Sequence, residues 1–168
     1  SIGFLGLHTF DCTSGSGRKE LVAAPKVGYG PLLDDPEGIL KLPKGFSYRV
    51  VSRVGDTMND GLYLPGKPDG MATFDAGNGK VVIVRNHEMS ADWLEESGFG
   101  KNNELLKNLK PEDLYDFGKG EKPSLGGTST IVYNEKTGKI EEQYLSLAGT
   151  NRNCAGGPTP WNSWITCE

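Results

Sequence analysis

A nearly continuous apolar segment at residues 80–85 (KVVIVR) constrains the fold of this chain more than any other feature. It follows the turn sequence Gly77-Asn78-Gly79 and consists mainly of β-branched residues. A short apolar run bounded by turn residues is typical of a strand that is covered on both faces. The sequence therefore predicts a β-sheet that contains this segment as a buried strand.

Further β-rich segments follow along the chain. TSTIVY and KIEEQYLSL predict two strands joined by a hairpin loop at residues 134–138, where Gly138 suits a positive φ. The alternation in FSYRVVSRV (residues 46–54) predicts a strand, and so does SWITC (residues 163–167). Because these segments have meander spacing without βαβ alternation, they indicate a propeller blade or two, or part of a barrel.

Glycine and proline together make up 34 of the 168 residues, which favours a turn-rich, mostly β protein. Two stretches rich in turn residues, 27–46 and 55–74, are predicted to be loops. Asp56, Asp60 and Asp69 in the second loop are either turn formers or oxygen ligands of a metal.

Residues 91–117 interrupt the β pattern. ADWLEES and NNELLKNL have helical spacing, with Asn102 or Asn103 as the N-cap of the second segment. Pro111-Glu112-Asp113 has the composition of the first turn of another short helix. These residues therefore predict a short helical insertion in an all-β fold.

The first 26 residues differ from the rest of the chain. SIGFLGLHTF is an apolar run followed by a linker-like segment, and it is too short to span a bilayer. It fits the remnant of an export signal, and the alternative is a buried first strand. The net charge of −4 and the lack of a basic cluster exclude nucleic acid as the expected partner.

Arg85-Asn86-His87-Glu88 gathers polar side chains directly after the buried strand. A Ser-His-Asp triad would have to use His87, because the other histidine lies in the N-terminal tail, and no G-x-S-x-G elbow supplies a serine. The zinc patterns H-E-x-x-H and C-x-x-C are also absent. Either the motif forms part of a site, or Asn86 and His87 hydrogen-bond the loop backbone while Glu88 is solvated.

The segment NCAGGPTPWNSWITCE (residues 153–168) contains a second polar cluster, for which three hypotheses about Cys154 are open. Cys154 forms a disulfide with Cys167, acts as a nucleophile beside His87, or binds a metal as a thiolate with Glu168 as an oxygen ligand. The residues alone do not rank these alternatives.

Four segments, in this order, carry a resemblance to a known family. YGPLLDDPEGILKLPKGFSYRVVSRVGDTMNDGLYLPGKPDGMATF, VRNHE, GGTST and LAGTNRNCAGGPTPWNSWITCE resemble the PhoX-type alkaline phosphatases. The resemblance extends from about Gly28 to the last residue, although residues 91–119 carry little of it. The NCAGGPTPW…TCE block is the most specific part.

The resemblance implies a six-bladed β-propeller that is exported by the twin-arginine route to the periplasm or beyond. Such enzymes hydrolyse small phosphate monoesters with a cofactor of iron and calcium. We therefore expect residues 27–168 to be the incomplete N-terminal part of a propeller domain, one to two blades long. The parent protein would be a monomeric enzyme without a transmembrane helix in its mature form, and this chain alone would be inactive.

The resemblance also implies roles for individual residues. Cys154 matches the iron-binding cysteine of the family, and Glu168 matches one of two adjacent glutamates, either of which could be a metal ligand. Glu88 of VRNHE is a further candidate ligand. The candidate supporting residues, three polar side chains and two glycines, are Asn86, His87, Asn153, Gly156 and Gly157.

The sequence departs from the family at Asn162, where a glycine usually follows P-T-P-W. This position adjoins the motif without being a ligand. A competing hypothesis is a non-catalytic exported β-propeller that binds a partner and has kept only the scaffold. A third is an exported structural domain stapled by a disulfide between Cys154 and Cys167.

Overall fold

The computed structural model describes residues 28–168, so the predicted export remnant and linker, residues 1–26, lie outside the described residues. The chain divides into two compact units, Ser1–Tyr48 and Arg49–Glu168. No helix within residues 28–168 is long and apolar enough to cross a membrane.

The described part of the first unit, residues 28–48, is a loop with one short antiparallel pairing between strands β1 (Leu32–Leu33) and β2 (Leu42–Pro43). The Asp35 carboxylate organises the loop between these strands. It accepts hydrogen bonds from the backbone N–H groups of Glu37, Ile39 and Leu40 and from the hydroxyl of Tyr48. The bond from Tyr48, aided by the three N–H groups, lowers the pKa of Asp35 to about 2.

The second unit contains a four-stranded antiparallel sheet in the order β3-β4-β5-β6. Its strands are β3 (Pro68–Gly77), β4 (Lys80–His87), β5 (Gly126–Asn134) and β6 (Lys139–Thr150). A separate hairpin pairs β7 (Gly156–Pro158) with β8 (Trp164–Thr166). The predicted mostly β architecture with meander connections is therefore confirmed, and the described strands do not close into a barrel.

The two tight turns of the sheet form where the sequence predicts them. Gly77, Asn78 and Gly79 all have positive φ values, of 73°, 56° and 78°. Such backbone conformations match the twist of the strands that a two-residue hairpin joins. At the β5–β6 turn Gly138 has a φ of 65°, and its N–H donates to the Asn134 carbonyl over 2.7 Å.

The loop predicted at residues 55–74 was wrong from Pro68 onwards, and the strand predicted at residues 46–54 was wrong. Residues 55–74 were predicted to be a loop, but β3 begins at Pro68 because an edge strand tolerates the proline and glycine of this segment. Residues 46–54 were predicted to be a strand, yet they join no ladder among the described residues. Three of their valines, Val50, Val51 and Val54, are between 36% and 47% exposed. Alternation alone does not make a strand when no neighbouring backbone is available to pair with it.

The predicted insertion between β4 and β5 is present, but as four short 3-10 turns, with no α-helix among the described residues. These turns are Leu94–Glu96, Glu104–Asn108, Pro111–Asp113 and Gly118–Gly120. Asn103 precedes the second turn in a left-handed conformation, with φ of 54°, and its side chain makes no capping bond. Pro111 does open a turn, and Asp113 accepts a hydrogen bond from the Lys110 N–H.

Loops cover the outer edge of β6. The Asn59 and Asp60 side chains accept from the N–H groups of Gln143 and Leu145, over 2.8 and 2.7 Å. Asp60 also accepts from Leu62, while Asp56 accepts from Arg53. Both aspartates are thus turn formers. The apolar core beside this edge comprises Met58, Leu62, Leu64, Met89, Phe99, Leu114, Leu125 and Ala148.

Candidate metal centre at the Cys154 loop

Cys154 lies in the segment that leads into the β7–β8 hairpin, and this segment is attached to the four-stranded sheet at Cys154 and at Ala155. The Gly70 N–H of β3 donates to the Cys154 carbonyl over 2.9 Å. The Asn86 side-chain amide of β4 donates to the Ala155 carbonyl over 3.0 Å. Two neighbouring strands therefore fix the backbone carbonyls of Cys154 and of Ala155, the residue that follows it.

Gly70 is required for this approach. A Cβ atom at position 70 would lie 2.8 Å from the Cys154 carbonyl oxygen, closer than real Cβ atoms come to backbone. The absence of a side chain allows β3 and the Cys154 segment to share a hydrogen bond. This contact explains why the Pro-Asp-Gly triplet of the sequence ends in glycine.

Asn86 is the centre of a hydrogen-bond network beneath the hairpin. It is fully buried, and its Oδ1 accepts from Trp164 Nε1 and from the Thr166 hydroxyl, both over 2.9 Å. An indole N–H can only donate, so the amide oxygen faces β8 and the amide nitrogen faces Ala155. Every hydrogen-bonding direction that the amide uses therefore attaches β4 to the hairpin.

Asn153 extends the same network from the other side of Cys154. This residue is also fully buried; its Nδ2 donates to the Thr166 hydroxyl over 3.0 Å, and its Oδ1 accepts from the Thr150 hydroxyl. The preceding residue, Arg152, has a left-handed backbone with φ of 58°, and its N–H donates to the Met89 carbonyl. A non-glycine residue in this conformation is a point of backbone strain, held here by the bonds on either side.

The hairpin register, extended beyond the strands, places Cys154 opposite Glu168. Gly156 lies opposite Thr166, and the Cys167 N–H donates to the Ala155 carbonyl over 2.9 Å, so the pairing continues beyond the strands. The next pair in that register is Cys154 with Glu168. Both residues are exposed.

The same register separates the two cysteines. Cys154 and Cys167 are both free and exposed. When the register of the ladder is extended beyond the strands, they fall at successive, not opposed, positions. Because side chains alternate between the faces of a ladder, the two thiols belong to opposite faces. The structure therefore does not contain the disulfide that the sequence left open.

Both ring nitrogens of His87 form hydrogen bonds with groups other than Cys154. The ring is fully buried; Nδ1 lies 2.9 Å from the Gly66 carbonyl, and Nε2 lies 2.8 Å from the Ser129 hydroxyl. A carbonyl only accepts, so Nδ1 carries the proton and Nε2 accepts from Ser129. Burial lowers the pKa of His87 to about 4, and the nearby Arg85 charge acts in the same direction. With both nitrogens occupied, His87 does not serve as a base for Cys154.

Glu88 is neither free nor fully solvated. Its Oε1 lies 3.2 Å from Nη2 of Arg152, two residues before Cys154, and its side chain is 32% exposed. The Glu88 N–H donates to the Lys67 carbonyl over 2.8 Å. This carboxylate is therefore attached to the Cys154 segment through Arg152, and a metal would have to compete with that ion pair.

The two glycines of the motif differ. A Cβ atom on Gly156 would lie 2.3 Å from the Ile165 carbonyl and 2.5 Å from the Trp164 ring. Gly157 has no atom within 4 Å of such a Cβ. Neither glycine has a positive φ. The requirement for glycine at position 156 comes from the close approach of the Ile165 carbonyl and the Trp164 ring, and position 157 shows no such requirement.

The metal fit of this region is partial. A thiolate and a carboxylate, Cys154 and Glu168, are suitable donors for iron, whereas calcium would take only the oxygen ligand. Within residues 28–168, no group of three or more His, Cys, Asp and Glu side chains could hold a metal ion. The described residues therefore do not form a complete metal site.

Three residues of this arrangement were not predicted as site residues: Gly70, Thr150 and Thr166. The P-D-G-M segment had a signal, since it belongs to the resemblance, but it was predicted to be a loop. The two threonines have no sequence signal, because their hydroxyls matter only through the tertiary contacts of Asn153 and Asn86.

A family model matches the described part of the chain. The model of the family described as Alkaline phosphatase PhoX matches residues 27–137 and 119–168. The chain belongs to this family, and the resemblance stated on the sequence motifs is confirmed. No solved structure gave a significant match to the chain.

Proposed function

We propose that this chain is part of an exported metal-dependent alkaline phosphatase that hydrolyses phosphate monoesters with iron and calcium. The family match relates it to the alkaline phosphatases. The observation that carries the proposal is the exposed Cys154 thiol, next to Glu168 in register and held by a fully satisfied polar network. Buried networks of this kind are common behind metal ligands, where they orient the donor atoms.

In this proposal Cys154 is a thiolate ligand of iron and Glu168 an oxygen ligand. Glu88 is a third candidate, released from Arg152 when metal binds. The bound metals would supply electrostatic stabilisation of the phosphoryl oxygens. The chain's own contribution is to hold the ligands. Asn86 and Asn153 fix the Cys154 loop, and His87 connects the end of β4 to Ser129 by a hydrogen bond.

The remaining features of the family are proposed with it. The four-stranded sheet is a blade of a six-bladed β-propeller, and the β7–β8 hairpin belongs to the next blade. The protein is exported by the twin-arginine route to the periplasm or beyond, and acts as a monomer on small phosphate esters. Because the described residues contain no complete metal site, we expect no turnover by the 168-residue chain alone.

The test combines metal analysis with hydrolysis of p-nitrophenyl phosphate by the full-length protein, with and without a calcium chelator. Cys154→Ser should remove iron and lower activity by at least about 100-fold, since even partners behind a ligand are worth 10–100-fold. Cys167→Ser is the matched control, because that thiol lies on the other face of the hairpin. A wild-type protein without iron and without turnover would contradict the proposal, and would leave a non-catalytic binding domain.

A further inference from the structure

The Thr166 hydroxyl occupies a position that neither the family match nor the sequence motifs assign. It accepts a hydrogen bond from Asn153 Nδ2 over 3.0 Å and donates one to Asn86 Oδ1 over 2.9 Å. The direction of both bonds is determined, because the Asn86 oxygen also receives the indole N–H of Trp164. The hydroxyl therefore acts as donor and acceptor at once.

The partners in these two bonds hold the chain on either side of Cys154. Asn153 directly precedes Cys154 in the chain, and Asn86 holds the carbonyl of Ala155, which directly follows it. One hydroxyl thus connects the two neighbours of the cysteine. The Thr150 hydroxyl closes the far end of the network by donating to Asn153.

We propose that Thr166 is a positioning residue that fixes the Cys154 thiol for metal binding. The metal part of this inference rests on the proposed function, whereas the positioning of the loop does not. A valine at position 166 has nearly the same shape as threonine but would leave the buried Asn153 Nδ2 without a partner. It would also remove one of the two donors to Asn86.

The first measurement is amide hydrogen exchange at Gly70 and Cys167, whose N–H groups bond to Cys154 and Ala155. Thr166→Val should accelerate exchange at both amides about fivefold relative to the β4–β5 ladder, as the loss of a bond of about 1 kcal/mol predicts. Thr166→Ser keeps the hydroxyl and should stay within about twofold of the wild type. Thr73→Val, on an exposed threonine of β3, is the matched control and should change neither amide.

The second measurement is titration with Co²⁺, followed by the cobalt–thiolate absorption band. Thr166→Val should weaken Co²⁺ binding about tenfold, and Thr166→Ser should restore it. Unchanged exchange in the valine variant, or equal losses in the valine and serine variants, would overturn the positioning role. A wild-type protein without a cobalt–thiolate band would count against the proposed function, and the exchange result would still decide the positioning role.

Discussion

At the scale of single residues, two buried asparagines hold the parts of the candidate site together. Asn86 and Asn153 are both fully buried, and each uses both ends of its amide. A buried polar group that is left unpaired costs about 1–3 kcal/mol, so such residues persist only where their partners are in place. The partners here are the backbone and side chains next to Cys154, which makes the loop position a consequence of the network.

His87 shows a second kind of buried polar residue, because its protonation is coupled to stability. Its pKa is lowered to about 4 in the folded protein, chiefly by burial, against about 6.5 in the unfolded chain. Between these values the unfolded chain binds more protons, so the free energy of unfolding falls as the pH falls. The contribution of neutral His87 is fully present above pH 6.5 and is lost as the pH drops towards 4.

We therefore predict that stability falls by up to about 3 kcal/mol between pH 7 and pH 4 because of His87. Urea unfolding of the wild type and of His87→Gln at several pH values measures this. Carboxylates such as Glu104 and Glu141, whose pKa values are lowered by hydrogen bonds, contribute equally to both proteins. Equal pH slopes for the two proteins would show that His87 is not the titrating group.

At the scale of elements, the β7–β8 hairpin depends on a close contact between one glycine and one tryptophan. Trp164 packs against Gly156 and also donates its indole N–H to Asn86. Position 156 therefore has no room for a side chain. Its neighbour Gly157 faces open space, although the two residues are identical in the sequence motif.

This difference predicts unequal effects of two alanine substitutions. Gly156→Ala should lower the free energy of unfolding by about 1–3 kcal/mol, because a methyl group must displace the ring or the Ile165 carbonyl. Gly157→Ala should change it by no more than about 0.5 kcal/mol. Urea unfolding followed by tryptophan fluorescence gives both values. Equal effects of the two substitutions would refute the close packing at position 156.

Elements were predictable from sequence to different degrees. The β5–β6 hairpin follows from its strand residues and from Gly138, and both are local signals. β3 was missed because Pro68 and Gly70 look like loop residues, although an edge strand accommodates them. The segments with helical spacing became 3-10 turns, since each is too short to form a stable helix by itself.

At the scale of the whole molecule, the proposed metal site predicts that metal binding stabilises the fold. A ligand that binds only the folded state adds about 2.7 kcal/mol when its free concentration is 100 times Kd. Removal of iron and calcium from the full-length protein with a chelator should therefore lower its melting temperature by several degrees.

The cysteine variants supply the controls for this measurement. Cys154→Ser should show a smaller shift on chelation, because it lacks the proposed thiolate ligand of iron. Cys167→Ser should behave as the wild type, since this exposed thiol lies on the opposite face of the hairpin. If chelation left all three melting temperatures unchanged, no metal would be bound in the folded protein.

The sequence by itself determined the family, the mostly β architecture and the stretch that carries Cys154, because these depend on local motifs and on strand and turn signals. The tertiary structure alone decided which hydrogen-bond partners each polar residue has. Asn86 and His87 are adjacent in the chain, yet Asn86 supports the Cys154 loop while His87 bonds to Gly66 and Ser129. Successive residues of a strand face opposite sides, so only the packing on each side of β4 could assign them their partners.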